Sequence, residues 1–129
     1  MTVRELTYGD AVKEAIAEEM RRDPRVFVIG EDVAEAGHPF KTLVGLVQEF
    51  GTDRVIDTPI SEPGYAGIGV GAAMTGMRPV VDVMFGDFIT LTMDQMVNQA
   101  AKVMRRNSDI SAHSSEGDGS VLPHGVVSR

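Results

Sequence analysis

The sequence predicts an α/β fold, a parallel sheet flanked by helices, on three observations. First, the short run at 25–30 is almost wholly apolar and rich in β-branched residues, as a strand buried on both faces is, and 54–57 and 79–85 read as further strands. Second, the segments between them carry apolar residues at helical spacing. Third, the two kinds of segment alternate, which is the pattern of parallel strands joined by right-handed crossovers.

Thr7 and Asp10 fit a capping box with Asp in place of the usual Glu. Val12, Ala15, Ile16 and Met20 follow at helical intervals, and Asp23-Pro24 ends that helix. Residues 25–30 form the first strand. Residues 42–50 form a second, short helix closed by Gly51. Residues 54–57 give the second strand. Pro63, in a first turn, opens a third helix that runs to about Gly76. Residues 79–85 give the third strand. Ile89, Met93, Met96, Val97, Ala100, Val103 and Met104 then share one helical stripe, whose methionines read as core filling. At Asn107 the composition turns to Ser and Gly and the periodicity stops. Residues 1–106 are therefore expected to form one domain and 107–129 a disordered tail outside it.

Composition excludes several classes. The 129 residues carry 12 basic and 19 acidic side chains, a net charge of −7, which argues against a nucleic-acid partner. The absence of cysteine rules out disulfides, cysteine zinc sites and a thiol nucleophile. No apolar run reaches the roughly 18 residues of a membrane span, and the N-terminus lacks the features of a signal or transit peptide, so a cytoplasmic protein is expected. His38, His113 and His124 show no ligand spacing, and Glu31-Asp32 has no third ligand beside it, so no metal site is expected.

Parallel sheets place their chemistry at the carboxyl ends of the strands. That rule selects Gly30-Glu31-Asp32, Thr58-Pro-Ile-Ser-Glu62 and Phe85-Gly-Asp-Phe88. Glu62 stands out, between apolar Ile60 and a Pro-Gly helix start. The helix dipole favours its ionised form, while a dry site would favour the protonated one, and a carboxyl held between these effects can exchange a proton with a ring nitrogen. Alternatively, Ser61 or Glu62 simply caps the helix. Gly64, Gly67 and Gly71 share one face of that helix and predict a close helix–helix contact, between subunits or within one. Gly67-Ile-Gly-Val-Gly71 is not a phosphate loop, because it lies inside the helix and lacks the spacing.

Taken together, Gly30-Glu-Asp-Val-Ala34, Arg54-Val-Ile-Asp-Thr-Pro-Ile-Ser-Glu62, Gly64 through Gly76, Arg78-Pro79, Asp87-Phe88 and Met93-Asp-Gln-Met-Val-Asn-Gln-Ala-Ala-Lys102 resemble the β subunit of the thiamine-diphosphate-dependent 2-oxo acid dehydrogenases, the pyruvate, branched-chain and acetoin types. The likeness runs from about Leu6 to about Val103. It implies the N-terminal part of the family's pyrimidine-binding domain and a role in oxidative decarboxylation with acyl transfer to a lipoyl carrier. It implies that Glu62 hydrogen-bonds a ring nitrogen of the cofactor's aminopyrimidine and activates it, that Phe88 stacks on that ring, and that Ile60 and Glu31 belong to the cofactor site, Glu31 in an acidic passage between paired sites.

The implied partners are an α subunit, which would share the thiamine diphosphate and supply its magnesium site, a second β subunit and a lipoyl acyltransferase core. Family β subunits continue into a glycine turn and a core strand, whereas Met104-Arg-Arg-Asn-Ser-Asp departs from that pattern. The likeness thus implies a truncated chain, inactive in isolation. A non-catalytic interaction fragment and a transketolase-type relative are the alternatives.

Overall fold

The computed structural model describes residues 4–105, and the tail expected over 107–129 lies outside the described residues. Three parallel strands stand at its centre: β1 (Val26–Gly30), β2 (Val55–Asp57) and β3 (Arg78–Val81), in the order β2-β1-β3. Val28 of β1 lies opposite Val55 on one side and Val80 on the other. Three α-helices, α1 (Tyr8–Arg22), α2 (Leu46–Phe50) and α3 (Glu62–Met74), alternate with the strands.

Because successive strand residues point to opposite faces, β1 feeds two cores. Val26 and Val28 pack with Met20 of α1, Leu46 of α2 and Val55. Phe27 and Ile29 pack on the other face with Tyr65 of α3. The entry to β1 is locked by Arg54, whose guanidinium donates to the carbonyls of Met20 (2.8 Å), Asp23 (3.0 Å) and Val26 (3.0 and 2.6 Å). It also sits 5.3 Å from the centre of the Phe50 ring, a cation–π distance. Beside it, hydrogen bonds from Arg25 hold the Asp23 carboxyl well below the usual carboxylate range.

Several boundaries differ from the sequence expectation. In α1 the Thr7 hydroxyl accepts the Asp10 N–H at 3.1 Å, as a cap should, but Val12 and Ala15 face solvent. The buried residues are Ala17 and Met20, in the half of the helix that turns into β1. α2 starts at Leu46 rather than 42, because Gly45 before it is left-handed at φ 95°. β3 ends at Val81, short of Phe85: the Asp82 carboxylate accepts the Met84 N–H at 2.9 Å and closes a turn there.

The largest correction concerns the last segment. It is a 3₁₀ helix over Gly86–Thr92 and a π-helix over Asp94–Ala100, with helix continuing to 105. Tighter and wider turns change the rotation per residue, so a stripe drawn at α-helical spacing no longer falls on one face. Ile89, Met93, Met96, Val97 and Met104 are exposed among the described residues, not core.

The glycine face of α3 is also only partly used. A Cβ at Gly67 would meet the Gln95 side chain at 3.3 Å, whereas one at Gly71 would meet nothing within 4 Å among the described residues. Tight positions also lie elsewhere. A Cβ at Gly30 would stand 2.7 Å from the backbone oxygen of Asp82. Gly30→Ala should therefore lower stability by about 1–3 kcal/mol, the usual cost of overpacking. Gly71→Ala should raise it by up to about 1 kcal/mol through helix propensity. Urea denaturation at matched chain concentration measures both, and equal effects would contradict this packing.

Candidate functional site

All three strands point the same way, so their carboxyl ends form one edge. Two backbone bonds stitch that edge across β1: Thr58 N–H to Gly30 O and Asp82 N–H to Ile29 O, each 2.9 Å. The Asp57 carboxylate accepts the Ala34 N–H at 2.7 Å and fixes the loop that leaves β1. The loops that leave the three strands therefore start side by side.

Glu62 is the first residue of α3 and is only 6% exposed. Among the described residues no cation or hydrogen-bond donor pairs with its carboxylate. The capping alternative does not hold for Ser61, which occupies the N-cap position with no side-chain cap bond. Instead its hydroxyl fills the space where a Cβ of Gly64 would lie, 2.7 Å away. Glu62 keeps the favourable dipole position without serving as the cap.

One turn further on, Tyr65 is 2% exposed. Its phenol is pushed up to about 12 from 10.0, first by burial and then by the charges of Glu62, Glu31 and Asp82. Those carboxylates follow β2, β1 and β3 respectively, so one acidic group from each strand end acts on a single hydroxyl. Beside it, a cleft of about 390 Å³ runs between β2 and α3, lined by Ile29, Ile56, Thr58, Ser61, Tyr65 and Ile68. The Thr58 hydroxyl is buried there with no partner among the described residues.

Ile60, by contrast, is 74% exposed on the loop that enters α3. Phe88, 37% exposed, ends a run of ring contacts: His38 to Phe40 at 5.4 Å, Phe40 to Phe85 at 5.7 Å and Phe85 to Phe88 at 5.6 Å between centroids. The last two are edge-to-face, a favoured geometry for aromatic pairs. His38 is buried, although the sequence had shown it only as a histidine without ligand spacing. Tyr65 was missed because its hydroxyl gains meaning only from three carboxylates far apart in the chain. A signal for His38 did exist: Gly37-His38-Pro39 follows closely on the acidic end of β1.

The profile of the family described as "Transketolase, pyrimidine binding domain" matches residues 4–124. Over 104 residues the chain is 48% identical to the 2-oxoisovalerate dehydrogenase subunit beta of Bacillus subtilis, covering 81% of this chain and 32% of that protein. Over 104 residues it is 54% identical to the pyruvate dehydrogenase E1 component subunit beta of Rhizobium meliloti, covering 81% and 22%. The protein of that same name from Rickettsia bellii is 50% identical over 98 residues, covering 76% and 30%. The chain thus spans a third or less of the length of these relatives.

The acidic surroundings of Tyr65 set a pH dependence. The neutral phenol is favoured in the folded state, so the contribution is fully present below the unfolded value of 10 and lost as pH rises toward about 12. Tyr65→Phe should remove that part of the alkaline loss of stability, and Glu62→Gln should reduce it. Denaturation at several pH values in this window checks both. An unchanged alkaline limb in both variants would contradict the placement of these carboxylates.

Proposed function

The chain belongs to the transketolase pyrimidine-binding domain family, and on that premise we propose that it forms the pyrimidine-binding portion of the β subunit of a thiamine-diphosphate-dependent 2-oxo acid dehydrogenase. The observation that carries this reading is Glu62: a residue 6% exposed, the first of a helix, whose carboxylate has no hydrogen-bond or ion-pair partner among the described residues. Its oxygens are left available to a ligand at this edge, where the buried polar atom without a partner among the described residues is the Thr58 hydroxyl.

The residues fit an aromatic ring that carries nitrogens. Glu62 offers an acceptor or a proton to a ring nitrogen. Phe88 and Ile60 offer exposed apolar surface. Glu31 adds a second acidic group near Tyr65. Thiamine diphosphate, when bound, supplies the nucleophilic carbon and the electron sink that decarboxylation of a 2-oxo acid needs. The chain's own part is to orient the pyrimidine, hold a proton at the Glu62 carboxyl and keep water from it.

The diphosphate and its magnesium ion belong on a partner α subunit. Glu31, Asp57, Glu62, Asp82 and Asp87 crowd the strand ends with negative charge, and like charges repel an anion there. The exposed apolar residues Ile89, Leu91, Met93, Met96, Val97 and Met104 suit burial in an assembly with α, with a second β subunit and with a lipoyl acyltransferase core. The same surface favours, as a second reading, an interaction fragment without turnover.

In the assembled dehydrogenase, Glu62→Gln should keep thiamine diphosphate binding within a few-fold and lower turnover about 100-fold or more, since the amide keeps shape but moves no proton. Steady-state kinetics with cofactor titration measures it, and near-normal turnover would overturn the assignment. Alone, the chain should sediment as more than a monomer and decarboxylate no 2-oxo acid. Gly71→Leu should reduce that association more than it reduces helix content, read by sedimentation and circular dichroism. A dispersed monomer that binds the cofactor tightly would refute the need for partners.

A further inference from the structure

His38 is a buried imidazole that the proposed chemistry does not use. Its backbone is left-handed, at φ 71°, a conformation rare for a side-chain-bearing residue and kept only where its surroundings fix it. Those surroundings are specific. The His38 N–H donates to Asp32 O at 2.8 Å, and the His38 carbonyl accepts the Lys41 N–H at 2.9 Å. On the ring, Nδ1 accepts the Phe40 N–H at 3.2 Å, which leaves the proton on Nε2. Nε2 faces Asp82 Oδ1 at 3.4 Å. The same Asp82 oxygen accepts the Met84 N–H at 2.9 Å, and the Asp82 backbone N–H is bonded to β1. The imidazole therefore joins the loop after β1 to the loop after β3. From it the ring contacts pass through Phe40 and Phe85 to Phe88.

We infer that His38 and Asp82 are positioning residues for the cofactor's pyrimidine, their contact fixing the aromatic row that ends in Phe88. This rests on the reading of Phe88 as the stacking ring. His38 touches no reacting atom; it acts by holding the 82–88 loop, and through it the Phe88 plane, against the strand ends. A ring held in one place loses no freedom when a ligand stacks on it, so the effect falls on cofactor affinity more than on the chemical step.

Two substitutions separate the contacts. His38→Asn tolerates the left-handed backbone and can still accept the Phe40 N–H, but it is too short for Asp82. Asp82→Asn keeps an oxygen facing Nε2 and an acceptor for the Met84 N–H. In the full chain, chymotrypsin should cut after Phe85 and Phe88 about tenfold faster in His38→Asn than in the parent, while Asp82→Asn cleaves near the parent rate. Should His38→Asn fail to fold, Asp82→Ala takes its place with the same expectation.

In the complex with a matching α subunit, His38→Asn should raise the KM for thiamine diphosphate about tenfold, with kcat at saturating cofactor nearly unchanged. Unchanged cleavage, or a fall in kcat with KM constant, would overturn the inference. Phe88→Ala and Glu62→Gln run alongside. If neither alters KM or kcat, the cofactor reading itself fails. If Phe88→Ala raises KM and His38→Asn does not, only the positioning role fails.

Discussion

Because both faces and both edges of Val26–Gly30 are withdrawn from water, the strand dictates what must surround it. A five-residue strand with no solvent-facing side needs an apolar layer above, another below, and hydrogen-bond partners left and right. α1 and α2 supply one layer and α3 the other, while β2 and β3 supply the edges. Arg54 satisfies the carbonyls where α1 hands over to the strand, so that a charged side chain serves as a backbone partner at the border of an apolar core. The Gly30 position follows from the same constraint, since Asp82 must come close enough to bond the end of the strand.

The character of the site is a by-product of that arrangement. Parallel strands deliver their exit loops to one edge, and each loop here begins with or soon reaches an acidic residue. Three carboxylates consequently act on the Tyr65 hydroxyl, although Glu31, Glu62 and Asp82 are far apart in sequence. The acidic edge suits a group that must accept or lend a proton and discourages one that must hold phosphate.

Much of this was legible in the sequence. β1 and α3 were marked by continuous apolar residues and by Pro63, features that depend on local propensity alone. Glu62 was legible because a carboxylate beside an apolar residue at a helix start is physically conspicuous. What escaped was set by distant contacts. The early stop of β3 depends on an Asp82 side chain turning back to its own backbone. The exposed methionines depend on 3₁₀ and π turns that no α-helical wheel anticipates. His38 looked idle because its partners, Asp82 and the row of rings, are assembled only by the fold.

The strand order β2-β1-β3 also fixes a sequence of events as the chain is made. β1 leaves the ribosome first among the strands, yet its second edge waits for Arg78–Val81, after β2 and the whole of α3 have emerged. Until then the most apolar strand of the sheet has one open edge, and until α3 emerges one uncovered face as well. Pairing of this kind is non-local and slow to form. The nascent chain therefore passes through a stage in which Val26–Gly30 is a sticky template, exposed to chaperones and to its own siblings on neighbouring ribosomes.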